Sequence, residues 1–136
     1  MSFVNSPQAL LSMEREWPWG LAVLADPDAR DQVPEHLNSD GVAACRSAVA
    51  AGIRHGVDGE ARAEVWLGVA PSGLVCIYDE MFATDSGTVA LSDASNEQVL
   101  TAVVGAGKRR LRVLVDDVAF PARVVFELGA PSALRP

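Results

Sequence analysis

An alternation of apolar and polar residues, with a period of two, runs from about residue 47 to residue 129 and is interrupted at short intervals by Gly, Asp and Ser. Successive side chains of an extended strand point to opposite faces, so this rhythm is typical of half-buried β-strands. The short interruptions are typical of turns that join antiparallel neighbours. The sequence therefore predicts a mainly β protein.

The length of 136 residues fits one domain, which can bury roughly two thirds of its unfolded surface without disulfides. We expect a single β domain over residues 1–136, with an ordered core over about 19–129. Each sheet must bury its apolar face, so two packed antiparallel sheets are the most economical arrangement. The prediction is a jelly-roll-like antiparallel β-sandwich with one short helix, and a closed β-barrel is the alternative.

The expected elements follow from local patterns. Asn38, Ser39 and Asp40 precede an Ala-rich stretch as N-cap residues, which predicts a short helix over 42–48. Asp58-Gly59 predicts a hairpin turn between two alternating runs, because this dipeptide supplies the positive φ angles of a tight turn. The expected strands are 19–25, 53–57, 61–67, 74–83, 88–91, 98–104, 108–115 and 122–128.

The chain has no apolar stretch of 18 residues, and its start has neither a basic leader nor a long apolar run. We therefore expect no membrane span and no secretory signal, and a cytoplasmic location. The two cysteines, Cys45 and Cys76, are interpreted as buried thiols in a reducing compartment, with a disulfide or redox pair as the alternative.

The charge is strongly negative, with 18 Asp and Glu against 11 Lys and Arg, a net charge of −7 and a pI near 4.7. Nucleic acid is not an expected partner, because phosphate contacts need a positive face. A basic protein or a cation would be attracted instead. The alternative is that the excess of acidic residues only keeps a small protein soluble.

Acidic residues concentrate in one predicted loop that contains Asp26, Asp28, Asp31, Glu35 and Asp40. The spacing at its start resembles a calcium loop, but the Gly at the sixth place and the Glu at the twelfth are missing. We therefore predict a solvated loop whose field would attract a basic partner.

The tryptophans are the candidate anchors. Trp66 shares a strand face with Arg62 and Glu64, out of step with its apolar neighbours, which predicts an exposed or sheet-covering aromatic. Trp17 and Trp19 would share one face of an extended segment. Core packing is the first interpretation for both, and an exposed anchor at an interface is the alternative.

No pattern typical of catalysis or of a metal or cofactor site occurs in the sequence. His36 and His55 lie far apart in unlike contexts, and the adjacent carboxylates of Asp79-Glu80 and Asp116-Asp117 would point to opposite faces of a strand. The basic run 108–112 is interpreted as protecting a strand edge and pairing with carboxylates. We predict no catalytic residue, no metal and no cofactor.

The order of segments resembles the competence protein J family, the small acidic inhibitors of DNA-entry nucleases, and related bacterial proteins. The resemblance rests on an early strand over 19–25, an acidic loop, a short helix with an Ala-rich exit over 42–51, a polar-aromatic strand over 60–67, a Gly-led strand over 73–78 and Arg-Leu-Arg-Val over 110–113. It implies a non-catalytic inhibitor, but no short motif transfers a binding residue to a position of this chain.

The hypothesis from the sequence is a non-catalytic, acidic protein-binding module of the inhibitor or immunity type. It would dock on a basic partner such as a nuclease, with Asp26, Asp28, Asp31, Glu35, Asp40 and Trp66 as the candidate contact residues. One alternative is a small-molecule-binding protein or enzyme with an internal apolar cavity, and another is a homo-oligomeric structural protein.

Overall fold

The structure, a computed structural model, describes residues 8–30 and 37–131. Two single 3₁₀ turns, Pro18–Gly20 and Gly56–Asp58, are the helical elements of these residues. The strands are β1 (Leu11–Arg15), β2 (Leu21–Ala25), β3 (Val42–Cys45), β4 (Ala48–Gly52), β5 (Ala61–Leu67), β6 (Val75–Thr84), β7 (Thr88–Asp93), β8 (Val99–Val103), β9 (Gly107–Val115) and β10 (Arg123–Pro131).

The strands form two five-stranded sheets, in the order β1-β5-β10-β9-β6 for the first sheet and β3-β4-β2-β7-β8 for the second. Both sheets are open, so the predicted β-sandwich is confirmed and the alternative of a closed barrel is wrong. One feature departs from the prediction of antiparallel sheets. β5 and β10 pair in parallel, with Val124 beside Ala63 and Phe126 beside Val65.

The core between the sheets is built from small side chains and a few large ones. Alanine and valine cover much of both inner faces, as at Ala51 and Val49. Trp17, Phe82 and Phe126 are fully buried and occupy the largest volumes. Since interiors pack to nearly crystalline density, these three rings determine how closely the sheets approach.

The predicted helix over 42–48 is wrong, because this stretch forms the hairpin of β3 and β4. All residues of 48–51 are buried, so this strand has no polar face that could have revealed its period. Asn38 caps a turn rather than a helix. Its side-chain oxygen accepts from the backbone N–H groups of Asp40 at 2.9 Å and Val42 at 3.0 Å, which is the local bonding that Asn offers in turns.

The predicted hairpin turn at Asp58-Gly59 is also wrong. Gly59 has a φ of +121 but a ψ of −174, and the preceding residues form a 3₁₀ turn rather than a strand. The antiparallel partner of β5 is instead β1, which the sequence analysis did not predict, with Met13 opposite Ala63. The remaining strands were predicted to within a few residues.

The outer face of the first sheet is closed by a loop and by ion pairs. Residues 68–74 cross this face and cover Trp66, which packs with Leu114 and Val125.

β9 lies between β10 and β6, so the expectation that its basic residues protect an edge is wrong. Their predicted pairing with carboxylates is confirmed for two of them. Arg110 pairs with Asp79 and Arg112 with Glu127.

Two further expectations can be compared with the described residues. Cys45 and Cys76 are free thiols, but the first is half-buried and the second is exposed, so neither is the buried thiol expected. Within 8–30 and 37–131, no helix has the length and apolar character needed to cross a membrane.

Trp17 offers a test of the packing argument. Its indole N–H donates to the carbonyl of Ala61 at 2.8 Å while the ring is fully buried. We expect Trp17→Phe to lower the free energy of unfolding by about 2 kcal/mol, because the smaller ring leaves a void and the carbonyl loses its donor. Urea denaturation measures the difference. Trp19→Phe, on an exposed residue two positions away, is the control and should change it by less than about 0.5 kcal/mol.

Candidate functional site

The predicted acidic loop does not form one exposed cluster, because Asp26 is only 3% exposed. Its carboxylate accepts hydrogen bonds from the Thr84 hydroxyl at 2.7 Å, from the Ser86 hydroxyl at 2.8 Å and from the backbone N–H of Asp28 at 2.8 Å. Burial alone would raise the pKa of Asp26, but these bonds outweigh it and lower the pKa to about 2. Asp26 is a structural residue that ties the end of β2 to the β6–β7 turn.

The other predicted carboxylates are separated from it. Asp28 and Asp40 are exposed and belong to no ion pair of the described residues. Asp31 and Glu35 lie outside the described residues, as does His36. Two of the five predicted acidic residues are therefore exposed and available to a partner.

Trp66 is not the exposed anchor that the sequence favoured, because it is only 8% exposed. Trp66 covers the sheet instead, which was the alternative in the prediction. Its indole N–H donates to Glu64 at 2.6 Å. Burial would raise the pKa of Glu64, but the hydrogen bonds from Arg123 and Trp66 lower it. Trp66 therefore presents little surface to a partner and instead helps to hold a buried carboxylate.

A different region combines exposed aromatic side chains with carboxylates. Three loops meet at one end of the sandwich, 16–20, 53–60 and 116–122, and we call this region the Trp19 end. The Gly56 N–H donates to the carbonyl of Trp17 at 2.9 Å, which joins the first two loops. The Arg54 N–H donates to the carbonyl of Pro121 at 2.7 Å, which joins the second and third.

The first loop holds Trp19 in an unusual conformation. The Gly20 N–H donates to the carbonyl of Trp17 at 3.2 Å, which closes a tight turn with Pro18 second and Trp19 third. Trp19 has φ 64 and ψ −1, close to the angles of the third position of a type II turn, which normally takes Gly. A bulky residue in this region costs of order 1–3 kcal/mol. Since Trp19 is 73% exposed, packing does not offset that cost.

The other two loops add exposed apolar side chains. Phe120 is 77% exposed, and Val57 and Val118 are also exposed. The Asp117 carboxylate accepts from the backbone N–H groups of Ala119 at 2.9 Å and Phe120 at 3.1 Å, an arrangement that fixes the loop. Phe120 is thus presented from an ordered turn. Side chains of this kind, without cover, are typical of interaction surfaces.

The negative charge of the described residues is concentrated at the same end. The basic side chains elsewhere are largely paired, for example Arg15 with Asp93 and Arg123 with Glu64. More than half of the described carboxylates without an ion pair belong to the Trp19 end. The full set is Glu16, Asp26, Asp28, Asp40, Asp58, Glu60, Glu80, Asp116 and Asp117.

A depression of about 480 Å³ lies between the second and third loops. Asp58 and Phe120 line it together with Arg54 and His55, so a carboxylate and an aromatic ring border the same space. Within the described residues no group of three His, Cys, Asp or Glu is placed to hold a metal ion. The Trp19 end therefore combines exposed aromatic rings, exposed carboxylates and a depression.

Fold and surface together define a class, the small acidic β-sandwich with two five-stranded sheets and an apolar, carboxylate-rich loop end. No protein-family model matches the chain, and no curated protein matches its sequence. The chain is similar in structure to ComJ from Bacillus subtilis, described as an inhibitor of the DNA-degrading activity of NucA. The TM-score is 0.69 at 10% identity, over 93% of this chain and 99% of that chain. The resemblance to the competence protein J family is thereby confirmed for the fold.

The hydrogen bonds around Asp26 predict a pH dependence of stability. The folded pKa of about 2 lies below the ordinary value of 3.8, so the stabilisation is complete above pH 3.8 and is lost as the pH falls towards 2. We expect Asp26→Asn to lower the free energy of unfolding by about 2 kcal/mol at pH 7, because the NH₂ group of the amide would face the N–H and O–H donors that bond to the carboxylate. Urea denaturation between pH 2 and 7 should show the two proteins converging at the acidic end. Asp28→Asn is the exposed control, and an equal effect of both substitutions would contradict the assignment.

The turn geometry predicts that Trp19 does not stabilise the fold. Trp19→Gly removes an exposed ring and relieves the positive φ, but it adds chain entropy to the unfolded state. We expect the free energy of unfolding of the variant to equal that of the wild type or to exceed it by up to about 1 kcal/mol. Thermal unfolding followed by circular dichroism measures this. A loss of more than about 1 kcal/mol would show that Trp19 packs in a way this structure does not describe.

Proposed function

We propose that this chain is a non-catalytic, acidic binding module of the inhibitor type, which docks on a basic partner protein through its Trp19 end. The observation that carries the proposal is the exposed Trp19 in a position suited to glycine, at an end of the sandwich that also carries five carboxylates without an ion pair among the described residues. Strained residues that the fold does not need occur preferentially at functional sites. The similarity of the fold to a nuclease inhibitor supports a nuclease as the class of partner.

The charge supports the same class of partner. An enzyme that degrades DNA must hold phosphates, so its cleft is lined by Lys and Arg. The carboxylates of Glu16, Asp58 and Glu60 would take the place of those phosphates, and their field would accelerate encounter at low salt. Occlusion of the cleft would inhibit cleavage without any chemistry by this chain.

The aromatic side chains would supply most of the affinity. Aromatic residues, Trp above all, dominate interface energies when they are desolvated at the centre of a contact. The depression between Asp58 and Phe120 would suit a Lys or Arg side chain of the partner, which could pair with the carboxylate and stack on the ring. Asp28 and Asp40 are both exposed but lie at opposite ends of the second sheet, and each remains a candidate contact residue by itself.

The alternative of a small-molecule protein needs a cavity between the sheets. Four depressions of the described residues have volumes from about 220 to 710 Å³, and the one of about 710 Å³ lies on the outer face of the second sheet, beside Val23 and Ala25. Trp17 and Phe126, which fill the interior, line none of these depressions. The protein-binding proposal has the better support.

The test begins with affinity capture on the immobilised chain from its source lysate at low and at high salt, followed by purification of the recovered partner. We expect a protein of basic pI that is released by salt and whose cleavage of DNA is inhibited by this chain. Trp19→Ala and Phe120→Ala should each weaken binding by about 2 kcal/mol, roughly thirtyfold. Glu16→Gln with Asp58→Asn should slow association at low salt severalfold.

The matched control is the pair Asp28→Asn with Glu80→Gln, which removes the same charge from two exposed residues outside the loops of the Trp19 end. It should leave affinity within about twofold, because neither residue belongs to the proposed surface. If this pair abolishes binding and Trp19→Ala does not, the Trp19 end is not the docking surface. If no basic protein is retained at low salt, the proposed function is wrong.

A further inference from the structure

The edge of the second sheet at β8 lacks the usual protection against pairing with another chain. β8 reads Val-Leu-Thr-Ala-Val, without charge or proline, and Val99, Leu100 and Val103 are exposed. It pairs with β7 and with no other described strand. Natural edges are usually short, covered or charged.

The other three edges carry such protection. β1 bears Glu14 and Arg15, and β6 bears Asp79 and Glu80. β3 has only four residues, and none of them is exposed. β8 is therefore the one described edge open to an additional strand.

The register shows which backbone groups of β8 are available. The Val104 N–H donates to the carbonyl of Gly87 at 2.8 Å, so this N–H points towards β7. Alternation along a strand then directs Leu100 and Ala102 towards β7, and Val99, Thr101 and Val103 away from it. These three outward residues offer three N–H donors and three carbonyl acceptors on the side away from β7, where no described strand pairs with them.

The outward residues form a symmetric set. A two-fold axis at Thr101 would place Thr101 opposite itself and Val99 opposite Val103 of a second copy, in antiparallel pairing. Each of the six outward groups of one strand would then meet its complement on the other. The valine pairs would bury apolar surface that is now exposed, since Val103 is 81% exposed.

The charge around β8 favours a second copy over a basic partner. The strand itself has no carboxylate with which to attract Lys or Arg. The charges around it balance. Arg15 pairs with both Asp93 and Glu97, and the Arg109 guanidinium donates to the carbonyl of Val104, while Glu14 pairs with Arg62. Two copies would therefore approach at this edge without the repulsion that their net charge would cause elsewhere.

We propose that the protein forms a two-fold symmetric dimer through antiparallel pairing of β8 with β8 of a second copy, which joins the two second sheets into one ten-stranded sheet. The inference is independent of the proposed function, because β8 lies outside the loops of the Trp19 end. A dimer of this kind would leave both Trp19 ends accessible.

Sedimentation equilibrium over a concentration series tests the proposal with two double variants. Val99→Lys with Val103→Lys brings the introduced lysines of the two copies face to face, and should raise the dissociation constant of the dimer at least tenfold. Val99→Lys with Val103→Glu brings lysine opposite glutamate, and should retain the dimer at low salt and weaken it as salt is added. Val69→Lys, on an equally exposed valine outside the sheets, is the control and should leave the dimer unchanged. Far-ultraviolet circular dichroism verifies that each variant is folded.

Three outcomes would overturn the proposal. The first is that the wild type remains a monomer up to high micromolar concentration. The second is that the paired lysines leave the dissociation constant of the dimer unchanged. The third is that both double variants raise this dissociation constant equally. The last result would contradict the two-fold register at Thr101. None of these results depends on whether a basic partner exists.

Discussion

The structure depends on closing a space between two sheets whose inner faces are lined mainly by alanine and valine. Small side chains let the sheets approach, but the sheets twist and leave gaps that only larger groups can fill. Trp17, Phe82 and Phe126 fill them, and Trp17 also satisfies a backbone carbonyl at the Trp19 end. The same indole therefore joins the packing of the core to the position of the loops that carry the candidate surface.

The distribution of charge follows from how the first sheet is covered. Its outer face is crossed by arginines that pair with carboxylates on neighbouring strands, such as Arg123 with Glu64 and Arg112 with Glu127. Because most of the described basic residues form ion pairs within the fold, the surplus of negative charge lies on carboxylates that form none. At the Trp19 end that surplus coincides with exposed aromatic rings, and acidity that serves solubility alone does not require such a coincidence.

The sequence predicted most of the strands that carry polar side chains on one face and apolar side chains on the other. β5, β9 and β10 are of this kind, with residues such as Glu64 and Arg112 opposite an apolar face, so their period of two was legible. Both faces of β4 are buried, so a run of alanines looked like a helix as readily as a strand. The parallel pairing of β5 with β10 joins segments about 60 residues apart, and no local pattern encodes such a choice.

The candidate site was harder to predict than the fold. Strand periodicity placed Trp66 on a polar face, but it could not show that residues 68–74 fold back over that face. Asp26 resembled its acidic neighbours in sequence, and only the approach of Thr84 and Ser86 makes it a buried residue. Trp19 was one of two tryptophans with alternative interpretations. Pro18 before Trp19 and Gly20 after it indicate a turn, and this pattern could have separated Trp19 from Trp17. It competes with the alternation of apolar residues, which indicates a strand.

The turn at Trp19 exposes one position to two opposed selective pressures. If only folding mattered, random substitution would drift towards glycine there, since glycine adopts this backbone more easily than any larger residue. If contact with another molecule mattered, an aromatic ring would persist in spite of its backbone. The residues found at position 19 in natural variants of this chain therefore show which of the two pressures has dominated, and sequencing is sufficient to determine them.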